Sequence, residues 1–177
     1  MVAKLSIISL LAITFLSSCQ DKPLFSKLDA NDTGIDFSNR IIENDTLNIL
    51  DFEYVYNGGG VGIADMNGDS LPDVVFSGNQ ADSRLYLNKG EIQFENVSTK
   101  AGISNLGRWC SGVSLVDINA DGRMDIYLTA TTKGSEAQRA NVLYINQGND
   151  KDGIPAFKEM SEVYGIADRG HSMYAAF

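Results

Sequence analysis

A chain of 177 residues with 44% hydrophobic and 21% charged residues carries enough apolar side chains for one domain of ordinary size, which excludes global disorder. Its formal charge of −9, from 14 Lys+Arg against 23 Asp+Glu, excludes binding driven by phosphate neutralisation, so nucleic acid is not expected as a partner. The 17 glycines beside only 3 prolines suit short strands joined by tight turns better than a bundle of long helices.

From the N-terminus, residues 1–18 have the order of a secretory signal. Lys4 supplies the positive start, Leu5 to Leu16 an apolar run, and Ser17 and Ser18 the small residues before a cleavage point. The run is shorter than the roughly 20 residues that span a bilayer. Leu16-Ser17-Ser18-Cys19 resembles the bacterial lipobox, which implies cleavage before Cys19 and lipidation of its thiol. Residues 19–33 then read as a polar tether between membrane and domain. With Cys19 lipidated, Cys110 has no intramolecular partner; its apolar neighbours predict a small buried thiol and no disulfide framework.

The remainder, residues 34–177, contains a repeat. Gly60-Val61-Gly62-Ile63-Ala64-Asp65 matches Gly112-Val113-Ser114-Leu115-Val116-Asp117, and Asp73-Val74-Val75-Phe76 matches Asp125-Ile126-Tyr127-Leu128. Further along, Leu85-Tyr86-Leu87-Asn88 matches Leu143-Tyr144-Ile145-Asn146, Phe94-Glu95-Asn96-Val97-Ser98 matches Phe157-Lys158-Glu159-Met160-Ser161, and Ala101-Gly102-Ile103 matches Tyr164-Gly165-Ile166. The spacing between matched runs widens in two steps, which places insertions near Thr131–Ala140 and Asn149–Pro155, both polar. Each unit holds four short runs of Val, Ile, Leu, Tyr and Phe with only partial alternation, as in strands buried on both faces. Four antiparallel strands in about 50 residues is the arithmetic of a propeller blade. The expected fold is therefore all-β: tandem four-stranded blades of a β-propeller. Units fall at about 58–106 and 107–168, and a third begins at 169–177. Two units do not close a ring and leave sheet edges open, so the chain is expected to be the N-terminal part of a longer protein.

Chemistry concentrates in two loops at equivalent places in the repeat. The first holds Asp65, Asn67, Asp69 and Asp73; the second holds Asp117, Asn119, Asp121 and Asp125, in each case at relative positions 1, 3, 5 and 9. Calcium takes about six to eight oxygen ligands, and a tightly wound loop turns alternate side chains inward. The backbone carbonyls of Leu71 and Arg123, at position 7, extend both sets. No Cys or His joins either cluster, which disfavours zinc and iron, and magnesium prefers fewer protein ligands. An EF-hand needs Glu at position 12, where Phe76 and Leu128 stand instead. Gly122 at position 6 accommodates a left-handed backbone that Ser70 does not, so the second loop is expected to bind the more tightly.

The β-run, Asp-x-Asn-x-Asp-x-x-x-Asp loop and second β-run together resemble the FG-GAP/VCBS repeats of integrin-α-type β-propellers. Tyr54-Val55-Tyr56-Asn57-Gly58-Gly59-Gly60, the Leu-Tyr-Leu-Asn and Ala-Gly-Ile motifs and Gly34-Ile35-Asp36-Phe37 are similar to those of bacterial lipoproteins that carry such repeats. The resemblance implies a seven-bladed ring, calcium bound in the loops, and recognition of partners on other surfaces. The expectation is a calcium-binding scaffold on the bacterial cell envelope. A lipid anchor at Cys19 would hold it to the membrane, and its partner would be an extracellular protein or glycan.

No nucleophile elbow, zinc-protease helix or phosphate loop occurs, and the one histidine, His171, lies beside Ser172 in the unfinished third unit. The chain is therefore not expected to be an enzyme. The alternative is the N-terminal part of a calcium-dependent polysaccharide-active enzyme of the lyase-propeller type. Tyr86, Tyr127 and Tyr144 fall inside strands, where core packing rather than sugar stacking is expected.

Overall fold

The computed structural model describes residues 24–132 and 134–177. The secretory signal and the lipidation site at Cys19 lie outside the described residues, as does the first part of the tether.

Runs rich in β-branched and aromatic residues form two sheets, each an antiparallel meander. The first orders β1 (Val61–Ala64), β2 (Asp73–Phe76), β3 (Arg84–Asn88) and β4 (Phe94–Asn96) side by side. The second does the same with β5 (Cys110–Val116), β6 (Asp125–Ala130), β7 (Val142–Asn149) and β8 (Pro155–Glu159). Matched positions share one register: Ile63 faces Val74 as Leu115 faces Ile126, and Val74 faces Tyr86 as Ile126 faces Tyr144. The fold is thus all-β, built from tandem propeller-like blades. Every residue of β6 is buried, which explains the partial alternation of these runs: both faces of the second sheet are covered.

One face of each sheet packs on the other. Val75, Leu85 and Leu87 of the first sheet meet Cys110, Ile126, Leu128, Val142 and Tyr144 of the second in one apolar cluster. Fully buried in that core, the Cys110 thiol is pushed up to about 12 by desolvation. Close approach of β1 to β5 depends on glycine. A Cβ on Gly60 would lie 2.7 Å from the amide nitrogen of Val113, and one on Gly62 would lie 2.7 Å from its Cγ1.

The last residues repeat that geometry. Ser111 donates to the Ser172 carbonyl (3.0 Å) and Ser114 to the Ala175 carbonyl (2.5 Å), so this stretch runs beside β5 in step with it. Tyr127, Leu143 and Ile145 on the far face of the second sheet pack with Ile118, Met160, Ile166 and Ala175.

A connector recurs three times. Gly34, Gly102 and Gly165 all adopt positive φ, each followed by isoleucine, and the first two close the one-turn helices α1 (Ala30–Thr33) and α2 (Ser98–Ala101). Gly102 docks on the next sheet, where an added Cβ would meet the Phe157 carbonyl at 3.3 Å; Gly34 abuts the equivalent Phe94 carbonyl. The Tyr144 hydroxyl donates to Ser104 just past the second connector (2.8 Å), and the Tyr86 hydroxyl donates to Asp36 just past the first (2.7 Å). The segment before the first sheet therefore covers it as the first unit covers the second. Phe37 stacks on Phe76 there, with ring centroids 4.8 Å apart.

The insertion at Thr131–Ala140 contains a third one-turn helix, α3 (Glu136–Arg139), with Ser135 and Gln138 forming a capping box. The insertion at Asn149–Pro155 lengthens the β7–β8 hairpin, whose turn is closed by Asp150 accepting the Asp152 and Ile154 N–H groups. Among the described residues no helix is long and apolar enough to cross a membrane.

Candidate metal centres

Both Asp-rich loops connect the first strand of a sheet to the second, so the meander places them on the same edge. Their side chains wind the backbone through one shared set of hydrogen bonds. Asp65 accepts the N–H groups of Gly68 (2.7 Å), Asp69 (3.2 Å) and Ser70 (2.8 Å). Asp117 accepts those of Asp121 (3.0 Å) and Gly122 (2.8 Å). Asn67 and Asn119 each accept the N–H of the position-5 aspartate at 3.1 Å, and that aspartate accepts the N–H of Leu71 or Arg123. Asp and Asn make such turns because a short side chain with an oxygen can close on its own backbone.

The position-9 aspartates differ from the others. Asp73 and Asp125 are fully buried, and both oxygens of each accept backbone N–H groups. Asp73 takes those of Met66 and Asn88, both at 2.8 Å; Asp125 takes those of Ile118 at 3.1 Å and Asn146 at 2.8 Å. Each ties the start of its loop to the third strand of its sheet. Desolvation raises both carboxyls above the ordinary aspartate value, the two N–H bonds oppose it, and the two other loop carboxylates add to the rise.

Position 7 contributes a side chain as well as a carbonyl in the second loop only. The Arg123 guanidinium pairs with Asp121 at 2.5 Å and donates to the Asn146 carbonyl at 3.2 Å. Leu71 has no such cation to offer. The backbone also evens out the expected difference between the loops. Two positions are left-handed in each, positions 4 and 6: Gly68 and Ser70 in the first, Ala120 and Gly122 in the second. Each loop therefore holds one glycine and one strained residue. The expectation of tighter binding in the second loop rested on position 6 alone, and Ala120 removes that basis.

Sequence reasoning missed the equivalent asparagines of the third strands, Asn88 at the end of β3 and Asn146 within β7. Asn88 donates to the Pro72 carbonyl and Asn146 to the Met124 carbonyl, the residues just before the position-9 aspartates. Asn146 also reaches across to the Met66 carbonyl of the first loop (2.9 Å), and Asn149 to the Asn67 carbonyl (2.6 Å). The first loop is thereby clamped by the second sheet. The signal was present in the repeated Leu-Tyr-Leu-Asn and Leu-Tyr-Ile-Asn motifs, whose closing Asn was read only as part of a repeat.

The donors are all oxygens, three carboxylates, an amide and a backbone carbonyl per loop, which suits a hard cation such as calcium and not zinc. Asp69, Asn119 and Asp121 are exposed and Asp65, Asn67 and Asp117 half-buried, while position 9 forms the buried base. Among the described residues no three Asp, Glu, His or Cys side chains are yet drawn together closely enough to hold a metal ion. The reason is visible in the hydrogen bonds: the carboxylates are turned toward loop amides. A carboxylate offers about four lone pairs, so those bonds leave acceptor capacity on each oxygen.

Two like blades, each with an Asp-rich loop on the same edge, define a class of all-β repeat protein with propeller-type sheets. Residues 65–128, from Asp65 of the first loop to Leu128 of β6, match the family described as FG-GAP-like repeat. The matched stretch takes in both loops. A search of the curated proteins gives no match.

Proposed function

We propose that this chain is a calcium-binding β-propeller scaffold, exported, held to the cell envelope through Cys19, and devoted to binding an extracellular protein or glycan rather than to catalysis. The observation that carries this reading is the duplication of one oxygen-only loop, with the same hydrogen-bond scaffold, on one edge of two equivalent sheets. A solvated turn has no need of three carboxylates, whose mutual repulsion calls for a cation.

In the proposed role Asp65, Asn67, Asp69 and the Leu71 carbonyl hold one ion, with Asp73 at its base. Asp117, Asn119, Asp121, the Arg123 carbonyl and Asp125 hold the other. Calcium supplies the positive charge that the first loop lacks and that Arg123 only partly supplies in the second. The chain's own contribution is to pre-wind the backbone so that few torsions remain to be fixed on binding.

Thermal unfolding tests the proposal. Calcium at 100 times its dissociation constant stabilises a single site by about 2.7 kcal/mol, so a rise of several degrees in Tm is expected for the full chain and none for an Asp65→Ala/Asp117→Ala double variant. An equal rise in both, or a rise with magnesium as large as with calcium, contradicts the assignment. Palmitate labelling of the expressed protein, lost in Cys19→Ala, tests the anchor.

A further inference from the structure

On the edge opposite the Asp-rich loops, the β2–β3, β4–β5 and β6–β7 connections enclose a cleft of about 540 Å³. Most of its polar lining is already engaged. Asn105 donates to the Gly78 and Ala81 carbonyls, both at 2.7 Å. Asn79 donates to the Cys110 carbonyl (2.9 Å) and accepts from Asn39 (2.7 Å), while Gln80 holds both the N–H and the carbonyl of Ile42. Arg108 is the exception. Its Nε and Nη1 are shut off from solvent and have no hydrogen-bond partner. Asp82, the carboxylate lining the same cleft, accepts the Asn105 N–H (3.1 Å) and makes no ion pair with the guanidinium.

Arg108 is only partly buried, but an N–H group shut off from water without an acceptor costs free energy, and Arg108 has two. The neighbouring Asn79, Gln80 and Asn105 side chains are hydrogen-bonded, so the unpaired N–H groups set Arg108 apart. Among the described residues that line the cleft Arg108 is the cation, and Asp82 stands nearby. A guanidinium presents paired N–H groups in a plane, which matches a carboxylate. Beside it lie Trp109 and Phe52, packed edge-to-face with centroids 5.7 Å apart, an apolar wall for the organic part of such a ligand. The volume falls within the range of about 300–1,000 Å³ typical of small-molecule sites.

We infer that this cleft binds a small carboxylate-bearing ligand, with Arg108 pairing the carboxylate after a rotation of its outer torsions and Trp109 flanking the bound molecule. The site is separate from the Asp-rich loops and does not depend on calcium.

Trp109 is the only tryptophan of the chain, so intrinsic fluorescence reports on the cleft directly. The full chain is titrated with D-glucuronate and with N-acetylglycine, and in parallel with their neutral counterparts methyl glucoside and N-acetylglycinamide. A saturable change in Trp109 emission is expected with at least one carboxylate and with neither neutral compound. Response to glucuronate alone identifies a sugar acid, to N-acetylglycine alone a peptide carboxylate, and to both a site that reads the carboxylate itself. Arg108→Gln should weaken the response at least tenfold, Arg108→Lys less, and Arg84→Gln not at all. Without ligand, Arg108→Gln should melt no lower than the parent, because it removes two N–H groups shut off from water without a partner. No response to either carboxylate, an equal response to the neutral compounds, or an unchanged response in Arg108→Gln overturns the inference. So does a folded Arg108→Gln that melts several degrees lower, since the guanidinium would then already have its partner.

Discussion

Asp125→Ala isolates what the position-9 aspartate does for the fold, apart from any metal. The carboxylate is fully buried and accepts the N–H groups of Ile118 and Asn146, which belong to two different segments. Truncation to alanine leaves the buried Asn146 N–H and the part-buried Ile118 N–H without an acceptor, at about 1–3 kcal/mol each with Ile118 at the low end. Removing a carboxyl that burial already disfavours in its charged form gives part of this back. The expected net loss is roughly 2–4 kcal/mol, a large fraction of the 5–15 kcal/mol that holds a typical domain together. Asp125→Asn keeps one acceptor oxygen and should cost about half as much. The assay is urea unfolding at neutral pH in excess chelator, read as a shift in midpoint at constant slope. A chelated Asp125→Ala protein within about 0.5 kcal/mol of the parent would refute the claim that this residue ties loop to strand, and would leave metal binding as its only role.

The other predictions concern the same loops and the contact between sheets. Gly68→Ala and Gly122→Ala should each cost about 1–2 kcal/mol, purely as backbone strain, because an added Cβ at either position meets no atom within 4 Å. Ala120→Gly should gain up to about 1 kcal/mol by relieving a φ of 56°; chemical denaturation checks all three. Gly60→Ala drives a Cβ into the backbone of Gly112 and Val113, so it should lose about 1–3 kcal/mol and loosen the packing of the two sheets, seen as faster amide exchange in β1 and β5. With equal backbone strain in both loops and Arg123 occupying Asp121, the first loop should bind calcium no more weakly than the second; calorimetry on Asp65→Ala and Asp117→Ala decides. Burial raises Asp73 and Asp125 above 3.8, so the folded chain holds their protons more tightly than the unfolded one. Their contribution to metal-free stability therefore grows as pH falls through the window above 3.8, whereas calcium affinity should fall there, earlier than for an ordinary aspartate; a pH series of titrations checks the sign.

Much of the architecture was legible because it occurs twice. A single run such as Asp73–Phe76 is ambiguous, but its match at Asp125–Leu128, with a like loop before it, fixes strand, turn and pairing together. The in-strand tyrosines are indeed core residues: Tyr86, Tyr127 and Tyr144 are all buried, and Cys110 is the buried thiol its neighbours predicted. What escaped was contact between units, which local pattern does not encode. Nothing in Gly34-Ile35-Asp36 announces that it stands against the first sheet as Gly102-Ile103-Ser104 stands against the second. Likewise the grip of Asn146 and Asn149 on the first loop joins residues 80 and 82 positions apart. The left-handed turn at Ala120 was missed because a glycine-based argument looks for glycine, and alanine gives no such cue. No sequence motif marks Arg108; only its two N–H groups shut off from water without a partner set it apart.

Calcium binding by the two Asp-rich loops is the central claim, and calorimetric titration of the full chain with calcium, beside Asp117→Ala, tests it most directly. Two sites in the parent and one in the variant, with both proteins folded by circular dichroism, is the predicted result. Heat of dilution alone from a folded parent would contradict it and reduce Asp65–Asp73 and Asp117–Asp125 to hydrogen-bonded turns.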